Sequence, residues 1–218
     1  GANNIALDNA NDFIGTVSIA NGSDVTLNDI NALNLGASTV GGNLNVTTGG
    51  ALTQSGALTV AAATTLAAGG NDITLTDGAN NFSTVGITSG QNVALVDANA
   101  LTINASGMSG NFSASANVGN LTIGGAVAST GGALNLTGAN TVTQLANLTA
   151  NGANAVTVTA TAGSITMAPA ATTTSGTGAI SYTSGANVTL GSLSTGGGVT
   201  VIANNGSVLS AAGSGTNV

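Results

Sequence analysis

The chain of 218 residues contains no lysine, arginine or histidine, and its only charged side chains are seven aspartates. The last of these is Asp97, so the C-terminal half has no charged side chain at all. A typical domain is about a quarter charged, whereas here the charged fraction is 3%. Because phosphate contacts need lysine or arginine, the composition argues against a nucleic-acid ligand.

Cysteine is absent and aromatic residues are scarce, with three phenylalanines, one tyrosine and no tryptophan. The chain therefore has no disulfide and no thiol-bound metal, and its core must consist of aliphatic side chains. Hydrophobic residues make up 42% of the chain, which distinguishes it from a disordered sequence. No apolar run has the length of a membrane helix, and no stretch resembles a signal peptide.

What the sequence does contain is a long internal repeat. The segment DVTLNDINALNL at 24–35 returns as NVALVDANALTI at 92–103, so that position 24 corresponds to position 92. The match extends over 3–35 and 71–103 at this constant offset, and a looser third copy covers 134–158. The long repeat predicts one domain, residues 1–218, because self-similarity at a fixed period is typical of stacked architectures. Its predicted parts are three degenerate super-repeats, 3–70, 71–133 and 134–198, and a last coil and tail at 199–218.

A smaller unit recurs inside each copy, namely a small residue between two apolar ones, as in Val25-Thr26-Leu27. Alternation with period two predicts a strand, and the glycine, asparagine, aspartate and serine between the triplets predict turns. The middle residue should point outward; it is threonine in nine of seventeen triplets. The alanine-rich segment 61–70 is interpreted as a strand and turn, and 172–180 (TTTSGTGAI) as a loop or a boundary.

Short strands in a repeating sequence favour a solenoid over a sandwich or a membrane barrel. A membrane barrel needs aromatic girdles and longer strands, and a sandwich gives no reason for a long repeat. With three short strands per coil, each long repeat should hold roughly three coils of about 22 residues, and the chain about ten coils. Equivalent residues of neighbouring coils then stack about 4.8 Å apart. A charged residue in such a stack would face a like charge, whereas asparagine side chains could form ladders in the turns.

The segment NDITLTDGANNFSTVGITSGQNVALVDANALTI (71–103), with GGNLNVTTGGALTQSGALTVAAATTLAAGG (41–70) before it, resembles the repeats of filamentous-haemagglutinin-like exoproteins. These are bacterial surface and secreted adhesins, many of the two-partner-secretion type. The resemblance is good over residues 3–103, fair to about residue 167 and weak afterwards. It implies an all-β, right-handed parallel β-helix on the cell surface or outside the cell. It also implies that the chain is the structural shaft of an adhesin, a fibre-like repeat protein that contacts other cells or surface glycans.

No catalytic, cofactor-binding or metal-binding residue is predicted, and the chain is not expected to be an enzyme. Polysaccharide-cleaving β-helices need a general acid or base, or paired carboxylates. The candidate pairs here are Asp24 with Asp29 and Asp72 with Asp77, which we interpret as turn formers that bond nearby backbone N–H groups. The segment GGNDITLTD (69–77) is faintly similar to a calcium-binding nonapeptide, but its spacing differs and it does not repeat in tandem.

Besides the adhesin shaft, the sequence leaves other functions open. Outward threonine suggests ice binding, although the triplet centres mix threonine with other residues. Neither end of the chain has a capping segment, so we expect either a piece of a longer solenoid or a self-assembling subunit of an extracellular filament or sheath. Its partners would be further solenoid repeats or copies of itself.

Ten sequons leave glycosylation open: Asn21, Asn45, Asn81, Asn104, Asn111, Asn120, Asn135, Asn147, Asn187 and Asn205.

Overall fold

The computed structural model describes residues 3–213, and this part of the chain consists of strands and turns without a helix. The first nine strands are β1 (Ile5–Asn11), β2 (Thr16–Val17), β3 (Val25–Asp29), β4 (Leu33–Leu35), β5 (Ser38–Val40), β6 (Leu44–Thr48), β7 (Leu52–Gln54), β8 (Leu58–Ala67) and β9 (Ile73–Leu75). The next nine are β10 (Asn81–Ser89), β11 (Val93–Asp97), β12 (Leu101–Ile103), β13 (Ser106–Met108), β14 (Phe112–Ala116), β15 (Leu121–Ile123), β16 (Val127–Ser129), β17 (Leu134–Gly138) and β18 (Val142–Gln144). The last nine are β19 (Leu148–Ala150), β20 (Val156–Ala160), β21 (Ile165–Met167), β22 (Thr172–Ser175), β23 (Ile180–Ser184), β24 (Val188–Leu190), β25 (Ser192–Ser194), β26 (Val199–Ala203) and β27 (Val208–Ser210).

These strands form three parallel sheets that wrap around one core. Sheet A stacks β1-β3-β6-β8-β10-β12-β15-β18-β21-β24-β27, with β5 paired to β8. Sheet B stacks β2-β4-β7-β9-β11-β14-β17-β20-β23-β26, and sheet C stacks β13-β16-β19-β22-β25. In the N-terminal half the third face consists of β5 and the first residues of β8 and β10. The prediction of a parallel β-solenoid with three strands per coil is confirmed.

Each coil takes about twenty residues. Along sheet B, the paired residues Leu33 and Leu52 lie 19 positions apart, and Val156 and Ile180 lie 24 apart. The ten strands of this sheet correspond to about ten coils. At about 4.8 Å per coil the stack is about 43 Å long.

A continuous aliphatic core runs through the stack. The cluster of buried side chains extends from Ile19 to Leu193. Its members alternate with outward residues, so that Val25 and Leu27 are buried on either side of Thr26. Burying one such aliphatic side chain is worth about 1.5–3 kcal/mol. Because each lies between equivalents in neighbouring coils, a truncation to alanine in mid-stack should cost about 2–5 kcal/mol.

Of the seventeen triplets, all but Val17-Ser18-Ile19 lie within strands; β2 ends at Val17. The interpretation of 61–70 as strand and turn is confirmed, since β8 extends to Ala67 and Gly69 has a positive φ of 57°. The interpretation of 172–180 as a loop is wrong for its first four residues. They form β22, whose Thr173 is fully buried in the core.

The two best copies of the long repeat lie on different sheets. β3 is in sheet A and its sequence equivalent β11 is in sheet B, while β4 is in sheet B and its equivalent β12 is in sheet A. Three coils carry Val25 to Val85, and eight further residues reach Val93 on the next face. The long repeat therefore spans three coils and one additional face, whereas three coils were expected. Strands on all three faces bury one side against the core and expose the other side to solvent. The same alternating sequence pattern therefore fits a strand on any face.

Most of the strands that the triplet pattern missed have a polar or small residue at an inward position, whereas the inward residue of β25 is Leu193. Gln54 ends β7, Gln144 ends β18, and Ser129 ends β16. Gln144 and Ser129 are fully buried, and hydrogen bonds inside the solenoid satisfy their polar atoms. A pattern that requires two aliphatic residues cannot detect such strands.

Candidate functional site

The aspartates singled out in the sequence do not form carboxylate pairs. Asp24 precedes β3 and is exposed, whereas Asp29 ends β3 and is buried. Five residues of extended strand separate them by about 16 Å, beyond the roughly 5–9.5 Å of two carboxylates that share a glycosidic bond. Asp77 forms a turn, because its Oδ1 accepts the N–H of Ala79 at 2.9 Å. The turn interpretation is confirmed for Asp77.

Asp24 and Asp72 have a different role from the one predicted, because they link neighbouring coils. Oδ1 of Asp24 accepts the backbone N–H (2.8 Å) and the side-chain N–H (3.1 Å) of Asn43. Oδ1 of Asp72 accepts the same two groups of Asn92, both at 3.0 Å. A side chain at this corner faces the backbone of the next coil, so an interaction across coils replaces a local turn.

Asparagine continues these links as a ladder. Oδ1 of Asn92 accepts the N–H of Asn111, and Oδ1 of Asn111 accepts the N–H of Ala133. The donor lies one coil further along each time. The predicted asparagine ladders are thus present, but they join a side chain to a backbone N–H and not one amide side chain to another.

Two carboxylates are buried in the wall of the solenoid. Oδ1 of Asp97 accepts the N–H of Phe82 at 2.7 Å, and Oδ2 accepts the N–H of Asn99 at 3.0 Å. Burial raises the pKa of Asp97 above its ordinary value, and these two N–H groups partly offset the rise. Oδ1 of Asp29 accepts the N–H of Phe13, but Oδ2 has no hydrogen-bond partner.

A polar cluster lies inside the core where β18, β22 and β23 meet. The Tyr182 hydroxyl donates to Oε1 of Gln144 at 2.6 Å and lies 2.6 Å from the Thr173 hydroxyl. Nε2 of Gln144 donates to the Thr173 hydroxyl at 3.0 Å. Burial raises the pKa of Tyr182, so its hydroxyl stays protonated. The three groups satisfy one another and do not open to solvent, which makes this cluster a structural element.

A second interior amide pair is closer to the N-terminus. Nε2 of Gln54 donates to Oδ1 of Asn80 at 2.8 Å, and Nδ2 of Asn80 donates back to Oε1 of Gln54 at 3.0 Å. Sequence reasoning missed both interior clusters. The available signal was the recurrence of apolar-Thr-Gln, at 52–54 and 142–144, with glutamine where an aliphatic residue is expected.

The outward-facing threonines are distributed differently in sheets A and B. The middle residues of the sheet B strands are mixed, but in sheet A from β10 to β24 each coil stacks threonine on threonine: Thr84, Thr102, Thr122, Thr143, Thr166 and Thr189. These threonines form a regular column, although the triplet centres taken along the sequence mix threonine with other residues. The mixture along the sequence arises because successive triplets belong to different faces.

Two open surface grooves have no charged residue in their lining. One of about 380 Å³ has Thr65, Gly86, Asn104 and Gly125 in its lining. Another, of about 430 Å³, adjoins it at Thr88. Within residues 3–213, no three side chains of the aspartate, glutamate, histidine or cysteine type come together in a way that could hold a metal ion. Nor does this part of the chain contain an apolar helix long enough to cross a membrane.

Two arrangements recur among the sequons. In the first, Oδ1 accepts a backbone N–H of the next coil, as for Asn120 and Asn187. In the second the asparagine points outward from mid-strand, as Asn45 and Asn135 do, and its side chain makes no hydrogen bond within residues 3–213. Glycosylation of the sequons stays untested.

A model of a family described as repeats of unknown function (DUF5649) matches residues 22–89 and again residues 90–143. The two matches begin at 22 and 90, which is the offset that relates position 24 to position 92 in the long repeat. No curated protein and no solved structure matches the chain.

Proposed function

The chain belongs to this family of repeats of unknown function (DUF5649), and on that premise we propose that it is the non-catalytic structural shaft of a bacterial cell-surface or secreted adhesin. The supporting observation is the single core that continues from Ile19 to Leu193 without a break between coils. A stack held by one core and three hydrogen-bonded faces resists bending, which suits a spacer.

The exterior supports the same proposal. Neighbouring coils place equivalent side chains about 4.8 Å apart, and here the stacked outward positions carry neutral residues. The resemblance of 71–103 to filamentous-haemagglutinin-like repeats adds the expected location, on the cell surface or outside the cell. The partners of such a shaft are further solenoid repeats, and other cells or surface glycans reached by the tip.

The natural full-length protein in its own bacterium tests this proposal. An antibody against residues 3–213 should label intact cells, and attachment should survive in-frame removal of one coil, residues 112–133. Removal of the whole solenoid should abolish attachment. Labelling that requires cell lysis would contradict the surface location, and release of sugar products by the purified chain would contradict the non-catalytic role.

A second candidate function is a filament or sheath subunit that stacks end to end. The outer edge of β26 pairs with no strand within residues 3–213, and Val199 and Val201 on this coil are half-buried. A further coil added there, by the same chain or by another, would extend the core. Filaments in electron micrographs of the purified chain favour the subunit, whereas a monodisperse monomer at high concentration contradicts it.

A further inference from the structure

The widest regular face of the solenoid is the C-terminal part of sheet B. From β11 to β26, five successive strand pairs each keep five residues in register without a bulge. Each five-residue strand has two outward residues, spaced about 6.6 Å apart along the strand, and each coil repeats them about 4.8 Å away. The result is a two-dimensional array of side chains.

Hydroxyl groups dominate this array between β14 and β26. One column stacks Ser113, Asn135, Thr157, Ser181 and Thr200, and the other stacks Ser115, Thr137, Thr159, Thr183 and the exposed Ile202. The Ser115 hydroxyl donates to Asn117. The other seven hydroxyls make no hydrogen bond within residues 3–213 and are free to bond groups outside the protein.

The chemistry of this surface excludes most classes of ligand. After Asp97 the only ionisable side chain is Tyr182, which is fully buried, so nucleic acids, anionic lipids and hard cations find no charged partner. Sugar rings usually stack on exposed aromatic side chains, but Phe82, Phe112 and Tyr182 are all buried. A ligand that matches this face would be uncharged and would repeat in two directions.

Water in the solid state has these properties. We propose that the outward face of sheet B, from β14 to β26, binds the surface of ice. Its hydroxyls repeat in two directions at distances close to those between oxygen atoms on planes of hexagonal ice. The β-branched threonines are restricted at χ1, so their hydroxyl and methyl groups keep fixed positions. Such a surface holds an ordered water layer that can join a crystal.

The threonine column of sheet A provides the internal contrast. It contains six threonines in register, but the sheet A strands from β12 onward are three residues long and have one outward residue each. A single column orders water in one direction only, whereas a crystal plane repeats in two. Ice contact is therefore assigned to sheet B and not to sheet A. The inference goes beyond the shaft proposal and does not depend on it.

The test compares Thr159→Tyr on sheet B with Thr143→Tyr on sheet A. Both positions are half-exposed and outward, so each variant should keep the circular dichroism and melting temperature of the parent. Fluorescently labelled parent and Thr143→Tyr should adsorb to a growing ice surface and slow recrystallisation, and Thr159→Tyr should lose both properties. Thr137→Tyr replaces Thr159→Tyr if that variant does not fold.

Four outcomes would overturn the proposal. They are a folded parent that stays in the liquid while ice grows, equal adsorption of both variants, loss of adsorption in Thr143→Tyr alone, and binding to cellulose or chitin particles in place of ice. Self-association that Thr159→Tyr abolishes, without any adsorption to ice by the parent, would instead assign the face to a second copy of the chain.

Discussion

The backbone N–H of Phe82 donates a hydrogen bond of 2.7 Å to Oδ1 of Asp97, fifteen residues further along the chain. Phe13 donates the equivalent bond to Asp29 at 3.0 Å. The two aspartates correspond at the offset of the long repeat, but the two phenylalanines are one position further apart, so the same bond survives this shift. Both copies of the repeat thus keep a hydrogen bond between a buried aspartate and a neighbouring coil, although the turn between the two residues differs in length. We call each of these two aspartate bonds an anchor.

The two anchors should differ in their sensitivity to substitution. Both oxygens of Asp97 accept N–H groups, whereas Oδ2 of Asp29 accepts none. Asp97→Asn turns an NH₂ group towards one of these donors and should lower the free energy of unfolding by about 1–3 kcal/mol. Asp29→Asn should cost less, because no bond to Oδ2 is lost. Urea denaturation of both variants measures the difference, and an equal loss would contradict it.

Stability should rise as the pH falls, opposite to ordinary acid denaturation. Burial raises the pKa of Asp97 in the folded chain above the ordinary value of 3.8, so the folded state holds its proton more tightly than the unfolded state. This contribution is complete below pH 3.8 and is lost as the pH rises through the raised pKa. Without basic side chains, acid also neutralises the net charge of −7 without creating positive repulsion.

The measurement is the urea midpoint at pH 3, 5 and 7 for the parent and Asp97→Asn. The parent should be most stable at pH 3, and the variant should show a smaller change with pH. A midpoint that falls steadily towards pH 3 would contradict the assignment.

Thr64 should be replaceable with a gain in stability. It lies in the inward column between Leu44 and Val85, is 1% exposed, and its hydroxyl has no partner. An unpaired buried hydroxyl costs about 1–3 kcal/mol, so Thr64→Val should raise the free energy of unfolding by about 1 kcal/mol.

The matched control for this change is Thr173→Val. Thr173 is equally buried, but its hydroxyl bonds Gln144 and Tyr182. Removal of that hydroxyl leaves two buried groups short of a partner and should destabilise the chain by about 1–3 kcal/mol. Thermal melts decide between the outcomes, and changes of the same sign in both variants would refute the distinction.

Coils should be removable one at a time. Deletion of residues 112–133 places Leu134 where Phe112 pairs with Val93, so every inward residue keeps its face. The shortened chain should stay folded and lose about 4.8 Å of length. Deletion of 112–122 takes out about half a coil and breaks the register of the three faces. X-ray scattering and circular dichroism compare the two deletions, and equal behaviour would contradict a coil as the structural unit.

The strands, the solenoid and its coil number follow from local features of the sequence. Alternation in Val25-Thr26-Leu27 fixes which residue faces inward, because successive side chains of a strand point to opposite sides. Glycine and asparagine between triplets fix the turns, and a repeat without charge fits coils that stack like on like. The interior clusters were not predictable in this way, since Tyr182 meets Gln144 across 38 residues and Gln54 meets Asn80 across 26.

The sequence by itself determined the alternation, the repeat and the absence of charge, each of which is a property of a few neighbouring residues or of composition. Only the tertiary structure decided which face each strand joins. That assignment depends on the summed lengths of all preceding turns, which vary from coil to coil. One residue more or less in a turn changes which residues of neighbouring coils stack on each other. It moves β11 away from the sheet of β3, and it gathers scattered threonines into one column on sheet A and a hydroxyl array on sheet B.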